Sequence, residues 1–182
     1  MSSTLEARPA STMADILEVF PGGRRALFRR YHLGGCSSCG FSPNETLAEL
    51  CRRNGELDPE EVLAHLRDSH EQDQRLLMNP SELAQALNGE PRPHLLDIRS
   101  KEEWETGHIA GAVRLTQDNL QEIMTRWGKD ELMVVCDHTG AGVLDAAAYF
   151  QGHGFTNVRC LRGGVDAWAA QVDPAMKRYR LQ

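Results

Sequence analysis

Cys136 follows the apolar run Leu132–Val135 and precedes a glycine-rich stretch, Asp137-His138-Thr139-Gly140-Ala141-Gly142, which leads into a helical pattern from Val143 to Phe150. A buried strand followed by a tight loop and a helix aims backbone N–H groups, and the positive end of the helix dipole, at the residue ending the strand. Such donors favour thiolate over thiol and stabilise a bound anion, so Cys136 is the candidate nucleophile. Gly140 and Gly142 give the loop the backbone freedom that presenting N–H groups requires. His138 is expected in an exposed loop, either solvated or placed to hold a donor and act on the thiol. The Thr139 hydroxyl serves a ligand or a turn.

A second constellation is Cys36-Ser37-Ser38-Cys39, flanked by Gly34, Gly35 and Gly40. Thiols at this spacing can form a disulfide, share a metal, or act as attacking and resolving groups. Three readings stay open. Cys36 and Cys39 cycle between dithiol and disulfide or pass a persulfide; or Cys51 and His32 join them in an H-x3-C-x2-C-x11-C ligand set for zinc or an iron–sulfur centre; or these cysteines only pack. Cys51 sits beside Leu50 on a helix whose apolar side is Leu47 and Leu50, and Cys160 lies within an apolar strand without a glycine loop after it, so both are expected to be buried packing residues.

The elements that position these cysteines fall into two blocks. In the first, Met13, Ile16, Leu17 and Phe20 recur at helical spacing after Thr12, a plausible N-cap, and Pro21-Gly22-Gly23 breaks the pattern. A second helix runs from Arg24 to about His32, a third from Thr46 to Arg53, and Asp58-Pro59-Glu60-Glu61 opens a fourth. The polar stretch near Asp68–Arg75 has few apolar side chains and reads as the boundary. The second block alternates strand and helix. Asn79-Pro80 caps a helix to about Leu87, then come strand 94–98, helix 101–105, strand 113–115, helix 117–127, strand 132–135, helix 143–150, strand 157–161 and helix 165–170. This predicts an α/β fold, a parallel sheet with helices on both faces, preceded by a small all-helical CxxC domain. The expected boundaries are 12–68 for the helical domain, 69–76 for a linker and 77–182 for the α/β domain.

Composition excludes several function classes. The chain has 182 residues, 26 acidic against 20 basic, and a formal charge of −6, so it lacks the basic footprint of a nucleic-acid binder. The cluster Arg24, Arg25, Arg29, Arg30 reads as a solvated helix face. No apolar run approaches the ~20 residues that cross a bilayer, and the first residues lack a signal peptide's apolar stretch. A cytoplasmic location without membrane association is expected. Five cysteines, an odd number, argue against a structural disulfide framework there.

The second block resembles a rhodanese domain in His94-Leu-Leu-Asp-Ile-Arg99, Glu103-Trp104, Gly107-His-Ile-Ala-Gly-Ala112, Val134-Val-Cys136, Gly154-Phe155, Asn157-Val158, Leu161-Arg-Gly-Gly164 and Trp168. The first block is similar to the helical CxxC domain found with hybrid-cluster proteins, through Leu33-Gly-Gly-Cys-Ser-Ser-Cys39 and Thr46-Leu47. The rhodanese resemblance implies a sulfurtransferase. Cys136 would accept a sulfane sulfur from a donor, form a persulfide within the loop Asp137–Gly142, and deliver the sulfur to a thiol acceptor. The CxxC pair would serve thiol–disulfide or persulfide exchange. No cofactor or resident metal is needed, and no G-x-G-x-x-G dinucleotide turn is present.

The loop departs from that family's usual pattern, which carries an arginine before the helix: residues 137–145 hold no Lys or Arg and include Asp137 and Asp145. Thiosulfate is therefore expected to be a poor donor. The loop is also one residue longer, as in the related cell-cycle phosphatases, but phosphoryl transfer without that arginine is not expected. Asp97 and Arg99 are expected to tie neighbouring loops together by an ion pair. The rival readings are an inactive rhodanese-like binding or regulatory module, and a redox or metal sensor built on the N-terminal cysteines.

Overall fold

The computed structural model describes residues 6–34 and 40–179, and the chain divides into two compact units, Met1–Arg75 and Leu76–Gln182. The first contains helices α1 (Met13–Val19), α2 (Gly23–Tyr31), α3 (Leu47–Arg53) and α4 (Pro59–Leu76). Thr12 and Thr46 each cap a helix through a capping box, with Asp15 and Glu49 reaching back to the cap. The two caps pair as an antiparallel bridge, which sets α1 beside α3. Met13, Ile16, Leu27, Leu47, Leu50, Cys51 and Leu63 are fully buried between the helices.

The stretch 69–76, expected as a linker, is helical and forms the last part of α4. A polar sequence holds a helix when its side chains find partners. Asp73 accepts two hydrogen bonds of 2.6 Å from Arg25 Nη2, and the His70 ring packs edge-on against Phe20 at 5.7 Å. Arg25 is accordingly mostly buried and not part of a merely solvated face.

The second unit is the α/β fold that the alternation predicts. Strands β1 (Leu77–Met78), β2 (His94–Asp97), β3 (Val113–Arg114), β4 (Met133–Cys136) and β5 (Val158–Leu161) form a parallel sheet in the order β1-β5-β4-β2-β3. Helices α5 (Pro80–Asn88), α6 (Lys101–Thr106), α7 (Gln117–Arg126), α8 (Val143–Gly152) and α9 (Gly164–Gln171) connect and cover it.

Side chains alternate across a strand, and the core splits accordingly. Leu96, Met133, Val135, Val158 and Cys160 pack with Ile123 of α7 and Val143, Ala147 and Phe150 of α8. Leu95, Val134, Cys136 and Leu161 pack with Leu83 of α5 and Val165 and Trp168 of α9. Cys136 and Cys160 therefore belong to opposite faces of the sheet. Among the described residues no helix is long and apolar enough to cross a membrane.

Candidate active site

In an open parallel sheet the connections leave adjacent strands in opposite directions at one point, and the crevice at the strands' carboxyl ends there is the usual place for chemistry. That point lies between β2 and β4. Their last residues, Asp97 and Cys136, are direct partners in the register, so the topology itself delivers Cys136 to the crevice.

The loop after Cys136 is held from two sides. Its own Asp137 carboxylate accepts the N–H of Gly140 and, at 2.7 Å, the N–H of Gly142. From the other side, the first turn of α9 donates to the loop's carbonyls, Val165 N–H to Asp137 O at 2.8 Å and Asp166 N–H to His138 O at 3.0 Å. This close approach explains the pair Gly163-Gly164. Both have positive φ, and a Cβ on Gly164 would lie 2.5 Å from Asp137 O and from the His138 carbonyl carbon and oxygen.

Two expectations about the loop are corrected. Cys136 is fully buried, and burial pushes its thiol well above the ordinary range; the charges of Asp97 and Asp137 add to this and Arg99 opposes it. The Gly140 and Gly142 N–H groups expected to favour the thiolate are engaged by Asp137. His138 is not solvated: it is 8% exposed, its ring stacks on Tyr179 at 4.3 Å, and its Nδ1 has no hydrogen-bond partner among the described residues. Thr139 and Ala141 are the exposed residues of the loop.

Asp97 and Arg99 form the expected tie. Arg99 donates to the Asp97 carboxylate from Nε at 2.9 and 3.0 Å and from Nη2 at 2.6 Å, with both side chains essentially without solvent contact. Its remaining donors go to Gly107 O at 2.9 Å and Tyr179 Oη at 3.0 Å, and Tyr179 in turn donates to Glu103 at 3.1 Å. Burial works against the Arg99 charge, but the bonds to Asp97 and Tyr179 outweigh it and raise its pKa, so Arg99 is a fixed cation with every donor nitrogen engaged. Tyr179 and Gly164 are site residues without an assigned role in the sequence reading. Gly164 was visible within the Leu161–Gly164 motif, whereas Tyr179 lies after the last periodic element and carried no signal.

Cys160 is buried and its thiol donates to Val143 O at 3.4 Å, as befits a packing residue. Cys51 is buried too, and burial foremost, then Asp58, raises its pKa. Cys36 and Cys39 lie outside the described residues. Among the described residues no group of three His, Cys, Asp or Glu side chains is placed to hold a metal.

Residues 79–171 match the family described as the rhodanese-like domain, and the chain belongs to that family. The thiosulfate sulfurtransferase GlpE of Pseudomonas savastanoi is 36% identical over 92 residues, which are 50% of this chain and 85% of that protein. The probable adenylyltransferase/sulfurtransferase MoeZ of Mycobacterium tuberculosis is 32% identical over 104 residues, 56% of this chain and 26% of that protein. The chain thus spans about a quarter of MoeZ's length. Among solved structures, the Alr3790 protein from Anabaena sp. aligns with 27% identity and a TM-score of 0.47, covering 51% of this chain and 74% of that one.

Proposed function

We propose that the protein is a sulfurtransferase that carries sulfane sulfur as a persulfide on Cys136. The observation that carries this reading is the position of Cys136, at the end of β4 where the strand order reverses and at the head of the loop 137–142, within a domain of the rhodanese-like family. The Cys136 thiolate attacks the outer sulfur of a donor R–S–SH, the donor's S–S bond breaks, RS⁻ leaves, and Cys136–S–SH remains. An acceptor thiolate then takes that outer sulfur and Cys136 departs as thiolate, so no outside electrons are needed. Cys36 and Cys39 serve as a thiol pair for exchange with the donor or the acceptor.

The name of the GlpE relatives points to thiosulfate as a donor class. In this chain residues 137–145 supply no Lys or Arg, and Arg99 is committed to Asp97, Gly107 and Tyr179. A small or uncharged persulfide, or a protein persulfide, suits the loop better than a dianion. The test is intact-protein mass spectrometry after exposure to thiosulfate and, separately, to a low-molecular-weight persulfide, comparing wild type with Cys136→Ser and Cys36→Ser/Cys39→Ser. One added sulfur atom on Cys136 that moves on to a thiol supports the reading; transfer retained in Cys136→Ser refutes it.

A second reading, a binding module with an idle rhodanese fold, is favoured by the complete burial of Cys136 and the rise in its pKa. Single-turnover sulfur transfer through Cys136 would eliminate it.

A further inference from the structure

We propose that Asp137 selects the sulfur donor: its carboxylate is a built-in anion that occupies the N–H donors of the Cys136 loop and turns anionic donors away. The inference rests on the sulfurtransferase reading and deepens it by naming the residue that sets substrate class.

A loop that receives a thiosulfate group offers it backbone N–H donors and positive charge. Here two of the donors, Gly140 N–H and Gly142 N–H, already bond to the two oxygens of one carboxylate that belongs to the loop itself. The fit is close, since a Cβ on Gly142 would sit 3.4 Å from Asp137 Oδ2. Asp137 is itself only partly buried, and the neighbouring guanidinium, Arg99, pairs with Asp97 instead. An incoming dianion therefore meets a like charge that backbone N–H groups, rather than the Arg99 guanidinium, hold in place, and those two glycine donors are already engaged. Transfer from thiosulfate would form the Cys136–S–S⁻ bond, break the S–SO₃ bond and release sulfite, so the two charges of thiosulfate, that of the thiolate and that of Asp137 would share the crevice at the moment of attack. Transfer from R–S–SH in its protonated form adds none to those of the thiolate and Asp137. The geometry thus favours sulfur carried by an uncharged group.

A carboxylate that merely shapes the turn makes a different prediction, because Asn presents the same carbonyl oxygen to one glycine N–H without the charge. The experiment compares wild type, Asp137→Asn and Asp137→Glu, measuring the rate at which Cys136 gains one sulfur from thiosulfate and from 2-mercaptoethanol persulfide. Loading by thiosulfate should rise at least about tenfold in Asp137→Asn and stay near wild type in Asp137→Glu, the effect of removing one unit charge beside a reacting anion. Loading by the persulfide should change less than about threefold in Asp137→Asn, since an uncharged donor does not meet the Coulomb term. Equal changes with both donors, or no gain with thiosulfate, overturn the proposal. Calorimetry in a Cys136→Ser background, where no chemistry occurs, separates this failure from failure of the enzyme reading. There Asp137→Asn should bind thiosulfate at least about tenfold more tightly, and unchanged affinity overturns the proposal whatever Cys136 does.

Discussion

Arg99→Met is expected to destabilise the second unit by about 3–5 kcal/mol, the cost of removing one partner from a fully buried ion pair. The side chains of Arg99 and Asp97 are 1% and 0% exposed, so water cannot replace the lost guanidinium. What remains for the Asp97 carboxylate is the backbone N–H of residue 99, at 3.0 Å. Gly107 O and Tyr179 Oη lose a donor as well. Removing both charges avoids the uncompensated carboxylate, so Asp97→Asn/Arg99→Met should recover at least about half of the loss. The three tryptophans, Trp104, Trp127 and Trp168, all lie in the second unit, so their fluorescence during denaturant unfolding reports on that unit. For a domain of this size the single variant should lower Tm by at least about 12 °C. A loss below about 1 kcal/mol, or a double variant no better than the single one, would refute the view that this pair's integrity stabilises the site.

Gly164→Ala should cost at least about 2 kcal/mol and abolish loading of Cys136, because a left-handed backbone and a clash with backbone atoms of the loop act together. Gly111→Ala, at φ 84° with no heavy atom within 4 Å of the added carbon, provides the contrast; it should cost only about 1 kcal/mol, the left-handed penalty alone. Equal losses in the two variants, by tryptophan fluorescence, would sink the close-approach argument. Labelling of Cys136 by iodoacetamide, followed by peptide mass spectrometry, should accelerate about tenfold per pH unit from pH 7 to about 9 without levelling, since only the thiolate reacts and burial holds the pKa high. A plateau below about pH 8 would contradict the raised pKa.

The sequence carried the elements well wherever side chains repeat or cap. Thr12, Thr46 and Asn79 stand at the helix starts that their types predict. Burial of every residue in Met133–Cys136, on both faces of the sheet, made β4 visible as an apolar run. Two-residue strands such as β1 are too short to show any period, and a polar helix end such as 69–76 shows none of the apolar spacing that marks a helix. The candidate nucleophile was legible because strand, glycine loop and helix are adjacent in sequence. Its electrostatics were not. The direction of the Cys136 shift is set first by burial under α5 and α9, and then reinforced by Asp97 from another strand and by Asp137, and none of these is encoded by spacing along the chain.

Burial of the nucleophile and sulfur transfer are compatible once the two consequences of a raised pKa are weighed. Each unit by which a thiol's pKa exceeds the ambient pH reduces the thiolate about tenfold, but the remaining thiolate is about threefold more nucleophilic for a Brønsted slope of about 0.4–0.5. The net loss is only about three- to fourfold per unit. Access weighs more heavily, because a fully buried Sγ meets no donor until the loop 137–142 moves. That movement must break the bonds from Val165 and Asp166 to the loop carbonyls, whereas those from Gly140 and Gly142 to Asp137 lie within the loop and hold its own shape. A donor that can take over the glycine N–H groups offsets part of this cost, and Asp137 competes with it for those same groups. The charge at residue 137 should therefore govern the rate more strongly than the Cys136 pKa does. If Asp137→Asn lowered the thiol pKa without improving access, thiosulfate and 2-mercaptoethanol persulfide would load Cys136 faster by the same small factor; a donor-dependent gain is the signature of competition within the loop.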